Sequence, residues 1–181
     1  MKPKYTINDH KHNFAIWTAA RAVQRNFTTT KIIGNAINSV HLQEEVIKLE
    51  KSSIVSEEYD SWHYKMVQAL IKNFPMKEGE GVKLYGRAAK IIAIYLKTYH
   101  IVGNPTSSLS KVAHPPVDRV LLSNLYKENK DLKILNVIET AWTNINSDQY
   151  FEIIVALKHI QSKNNFEYFW MMEYFWNTTN D

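Results

Sequence analysis

The chain has 181 residues, a formal net charge of +4 and no cysteine. That length suits one domain of roughly 100–200 residues with its own core. The absence of thiols excludes disulfides, thiolate zinc sites and cysteine nucleophiles, and the basic excess favours an anionic partner, of which nucleic acid is the commonest.

Five Gly and five Pro among all residues predict long helices with few turns. The regularly spaced turn signals of a β-sandwich or barrel are missing. Residues 1–12, MKPKYTINDHKH, read as a flexible leader to a helical domain over 13–181. No apolar run of roughly 20 residues follows, so no secretory signal or membrane span is expected, and the expected location is the cytoplasm. Asp9, His10 and His12 lie close together, but short-spaced histidines in a leader are read as surface groups rather than metal ligands.

The first helix is expected over Asn13–Arg25, with Ala15, Ala19 and Ala22 small enough to admit a neighbouring helix. Trp17 is expected in the core. Arg21, on the same face, then needs a carboxylate, phosphate or carbonyl partner. Thr28–Thr30 cap a second helix through Ile33 and Val40, with Gly34 marking a close approach, and Leu42, Val46 and Leu49 predict a third. Ser56 is the expected N-cap of a helix through Trp62 and Phe74 that Pro75 ends.

MKEGEGVK, residues 76–83, is a turn, followed by a helix over Arg87–His100. The stretch from Gly103 to Pro116 reads as a long polar loop of the kind that is often functional. Further helices are expected from Asp118 to Lys127, around Trp142, and from Asn146–Asp148 through DQYFEIIVALKHIQS. The terminal FEYFWMMEYFW is too apolar to be left in water. It reads as a short helix docked on the body, with Glu173 paired to a basic residue, or as a surface for a homodimer or protein partner. The fold class is therefore all-α, a single domain of about eight helices. Strands over 151–157 and 166–176 are the alternative, because β-branched and aromatic residues allow them.

The chemistry candidates centre on Lys90 and Asp118. Lys90 follows Gly86 near a helix start, where the positive helix end disfavours an added charge. A neutral amine has the lone pair that a lysine nucleophile needs. Its plain reading is a solvated lysine. Asp118 follows Pro115 and Pro116, which hold the chain extended, and its plain reading is a helix N-cap worth about 1 kcal/mol. A capping carboxylate is also rigid, and its second oxygen can stabilise a developing cation. Arg87, His114 and Arg119 are candidate phosphate contacts. Trp62 and Trp142 are candidate pocket walls, as are Trp170 and Trp176, although tryptophan at helical spacing also serves as core. Phosphate-loop, dinucleotide, nucleophile-elbow, zinc-protease and calcium-loop strings are all missing.

YGRAAK, Tyr85–Lys90, and PPVDRVLL, Pro115–Leu122, together resemble the helix-hairpin-helix DNA glycosylases, most nearly their archaeal 8-oxoguanine branch. The likeness spans about forty residues and is fold-level analogy. It implies a helical bundle that flips a damaged base out of DNA. Lys90 would attack the sugar C1′ and Asp118 would assist, with no metal and no cofactor. The hairpin is not matched: its nearest string, EGEGVK at Glu78–Lys83, lies far upstream of Asp118 and lacks the apolar residues. The spacing from Lys90 to Asp118 is also wide, which makes residues 105–110 an insertion. The helix–loop–HPPVDRVLL pattern is similar as well to a bacterial family with no assigned activity. The alternative function is a non-enzymatic helical module acting through its aromatic C-terminus.

Overall fold

A computed structural model of the chain describes residues 4–75, 84–136 and 141–176. These are all-α, and among the described residues there is no strand, so 151–157 and 166–176 are not strands. The α-helices among the described residues are α1 Ile7–Val23, α2 Thr30–Ser39, α3 Leu42–Glu50, α4 Ser56–Ile71, α5 Tyr85–Leu96, α6 Ser108–Val112, α7 Arg119–Glu128 and α8 Ser147–Lys163. The turn at 76–83, including Glu78–Lys83, lies outside the described residues.

α1 starts at Ile7 rather than at Asn13, so residues 7–12 are helix and not leader. The cause is local. The Thr6 hydroxyl accepts from the Asp9 N–H, and the Asp9 carboxylate accepts from the Thr6 N–H at 2.7 Å, a reciprocal cap that satisfies two free donors. Asp9 is thus committed to the cap, and the His12 ring bonds Tyr95 Oη at 2.7 Å and Asn38 Oδ1 at 2.9 Å. No group of three or more His, Asp or Glu among the described residues is placed to hold a metal.

α5 is the central element: ten of its twelve residues are buried, as a helix apolar on all sides must be. α1, α4 and α8 pack around it. Ala15, Ala19 and Ala20 give α1 a smooth face toward this core, which permits close approach. Gly34 serves the same end on α2, where an added Cβ would meet Ile16 Cγ2 at 3.1 Å. α5 continues as one π-helical turn, Lys97–Ile101, closed by Val102 N–H donating to the Lys97 carbonyl at 3.1 Å. Such turns re-aim the side chains they carry.

The polar stretch 103–116 is not all loop, because Ser107 caps the short α6 within it. The helix expected around Trp142 is not seen in its described residues. Its described parts are single 3-10 turns, Lys133–Leu135 and Trp142–Asn144, while Val137–Thr140 lies outside the described residues. The C-terminal segment Phe169–Phe175 is 3-10 helix rather than α. Phe169, Met172 and Phe175 are its buried residues, and a period of three residues per turn places them on one face. Tyr174 and Trp176 stay outside.

Candidate active site

Asp118 sits at the junction of an extended strap and α7. Pro115, Pro116 and Val117 are buried, and Asp118 itself is extended, at φ −150° and ψ 178°. Its Oδ1 accepts from the Leu121 N–H at 3.0 Å, which is the expected N-cap. Its Oδ2 accepts from Lys90 Nζ at 2.9 Å and from Trp176 Nε1 at 2.9 Å. The cap and the lysine partner are thus one carboxylate using two oxygens.

Lys90 and Asp118 are only 9% and 7% exposed, so the lysine is no solvated surface group. Lys90 lies in the second turn of α5, beyond the first turn where the field of a helix end is felt. Its surroundings are set by Asp118 and by Trp142, whose ring centre is 4.7 Å from Nζ. Gly86 makes that stacking possible. A Cβ there would stand 1.9 Å from the Trp142 carbonyl oxygen, so only glycine lets the Trp142 turn settle on α5 and bring its ring over the ammonium.

The pair opens on a cleft of about 460 Å³ walled by Trp17 and Trp176 and rimmed by Arg21, Lys97 and Glu173. Trp17 was expected in the core, yet it is 54% exposed. The apolar stripe of α1 is its alanine face, which turns the indole outward. Arg21 is likewise at the surface. Glu173 pairs with Lys97. Burial raises the Glu173 carboxyl above its ordinary range; Lys97 opposes this and the Asp118 charge adds to it. Lys97 also faces the Trp176 ring, 5.9 Å from its centre. The cleft therefore offers an amine beside a carboxylate, aromatic walls that can hold a flat ring, and cations at its mouth.

The other sequence candidates are elsewhere. His114 is buried, bonded to Asp60 Oδ1 at 2.8 Å and to Tyr150 Oη at 3.1 Å; with both ring nitrogens engaged it cannot meet a phosphate or a base. Arg87 donates to the Asn26 carbonyl at 3.1 Å and lies 4.9 Å from the Phe27 ring centre, bracing the α1–α2 turn. Burial lowers its pKa. Arg119 is exposed just past Asp118, outside the residues lining the cleft. Trp62 is half-buried against Tyr59, 5.5 Å between ring centres, and is not a cleft wall. The Trp170 indole donates to the Pro105 carbonyl at 3.0 Å, tying the polar stretch to the C-terminal segment. Of the tryptophans proposed as walls, Trp176 lines the cleft and Trp142 covers Lys90.

Lys97 was missed, although its distance from Lys90 is two helical turns on one face, a signal open to sequence reading. Compared with known proteins, the chain matches no family model, no curated protein and no solved structure.

Proposed function

We propose that the chain binds DNA and removes a damaged or modified base, with Lys90 as the nucleophile. The carrying observation is the contact of 2.9 Å between Lys90 Nζ and Asp118 Oδ2, at the floor of a cleft with indole walls and with Arg21 and the Lys97–Glu173 pair at its rim. An ammonium has no lone pair, so its proton must leave before attack. Asp118 is the adjacent acceptor, held rigid by its cap. The amine then forms a bond to C1′ of the deoxyribose as the bond from C1′ to the base breaks, its electron pair leaves with the base, and the base takes up the proton that the alkylated nitrogen sheds. Loss of the C1′–O4′ bond, with a proton going to O4′, gives an iminium linked to Lys90. Trp176 lies over Asp118, so its indole must slide aside or stack on the extruded base.

The reading is tested by incubating the protein with duplexes carrying one damaged base, 8-oxoguanine first, in the presence of borohydride. Hydride addition to the iminium carbon fixes a protein–DNA adduct. An adduct formed by wild type and lost in Lys90→Gln supports the reading. No adduct with 8-oxoguanine, uracil or alkylated purines overturns it.

A further inference from the structure

A second groove adjoins the cleft through a shared residue. It spans about 720 Å³ between the end of α1 and the start of α2 and is lined by Arg21, Arg25 and Lys31 together with Gln24 and Thr28–Thr30. No carboxylate lines it, and among the described residues Arg21, Arg25 and Lys31 form no ion pair. Arg21, in the last turn of α1, complements that helix end. Lys31 does the reverse. It lies in the first turn of α2, which holds no acidic residue, and a cation there is electrostatically unfavourable. Three cations without an ion-pair partner among the described residues thus share one groove, an arrangement that favours an anion there.

The turn beside the groove is held in place. Asn26 takes a left-handed turn at φ 55°, its carbonyl accepts from Arg87, and Thr30 donates to Gln24 Oε1 at 2.6 Å. Thr28 and Thr29 also line the groove, and although the Thr29 hydroxyl accepts from the Ile32 N–H as the cap of α2, threonines beside cations suit phosphate oxygens. Arg21 lines both this groove and the Lys90–Asp118 cleft, so a strand lying in the groove leads into the cleft.

We infer that this groove is the track for a DNA phosphate backbone, with Arg25 and Lys31 contacting phosphates and Arg21 handing the strand to the cleft. The inference rests on the DNA-directed reading of the cleft. It replaces Arg87 and His114 as phosphate contacts, since both are occupied within the fold.

The test is fluorescence anisotropy with an undamaged labelled duplex across a salt series, which needs no reaction at Lys90. Each phosphate contact contributes about 0.9 to the slope of log affinity against log salt, so the double substitution Arg25→Gln/Lys31→Gln should lower that slope by about 1.8 and weaken binding roughly 30-fold near 0.15 M salt. Its melting temperature should stay level or rise, because an unfavourable cation leaves the start of α2. Unchanged slope and affinity overturn the track, even where borohydride trapping at Lys90 succeeds. A lowered slope with no trapped adduct on any duplex keeps the track and removes the glycosylase reading. Loss of binding to phosphatidylserine vesicles with duplex binding unchanged also overturns it.

Discussion

At the scale of the residue, the Lys90–Asp118 pair decides both stability and chemistry. Both groups are buried, and removing one partner of such a pair leaves the other charge without compensation. Lys90→Met keeps the stem but strands the carboxylate, which retains only Leu121 and Trp176 as donors. The expected loss is about 3 kcal/mol, the low end for a broken buried pair. Asp118→Asn points an amide at two other donors and should also destabilise. The double substitution removes the unpaired charge, so it should be markedly more stable than the two single losses added together. Urea denaturation of the four proteins measures this; strict additivity would show that the contact carries no coupling. The sequence showed that Lys90 and Asp118 belong to neighbouring helix starts. It named Trp142 and Trp176 as candidate walls but did not show that they meet at this pair, because the segments that carry them form 3-10 turns placed by tertiary contact rather than the helices expected there.

At the scale of the element, the close packing of α5 turns on glycine. Gly86→Ala forces a backbone carbonyl out of the way, since the Cβ would lie 1.9 Å from Trp142 O. Overpacking typically costs about 1–3 kcal/mol, more than the roughly 1 kcal/mol of helix propensity gained. Gly34→Ala meets only a side-chain methyl at 3.1 Å, so it should stay within about 1 kcal/mol of wild type. Thermal melts compare the two, and a shift in tryptophan emission in Gly86→Ala alone would report the displaced Trp142. Equal melting temperatures would remove the argument. Some caps were legible: Thr29, Asp118 and Asn146 cap within the residues the sequence offers, whereas Ser56, expected as a cap, is the first residue of α4 behind Val55, and the caps at Thr6 and Ser107 were missed. Elements fixed by tertiary contact were not legible. The Trp142 turn follows the space left by Gly86, and the 3-10 form of Phe169–Phe175 follows the burial of every third residue. Trp17 misled because a large ring was read as core where alanines do the packing.

At the scale of the whole molecule, a buried polar chain sets the response to acid. His63 stacks on Tyr150, ring centres 5.1 Å apart, and lies 4.6 Å from the His114 ring. Lys158 donates to Asp60 Oδ2 at 2.7 Å, behind the His114–Asp60 contact. Burial holds His63 well below the ordinary histidine value, and the nearby His114 adds to this. Burial also lowers His114, with Lys158 adding and Asp60 opposing. In the unfolded chain both titrate near 6.5. A group whose folded pKa is depressed in this way takes up its proton more readily when unfolded. Stability is therefore complete above about pH 6.5 and is lost as pH falls below it. Two histidines give a slope of about 3 kcal/mol per pH unit at most. Burial raises the Asp60 carboxyl, but hydrogen bonds from His114 and Lys158 outweigh that and leave it low. Its stabilisation persists until pH falls through the carboxylate range. Glu173 acts in the opposite sense: its raised pKa makes ionisation costly in the fold, so protonation near the ordinary carboxylate value returns some stability and softens the lower end of the curve. Urea midpoints measured stepwise from pH 8 to 5 should hold level and then fall steeply below about 6.5. His63→Phe, which keeps a ring against Tyr150, should lower the slope by about half. A wild-type curve that stays flat across that window would mean that these histidines take up protons equally in the folded and unfolded chain, and the buried chain would then not set the response to acid.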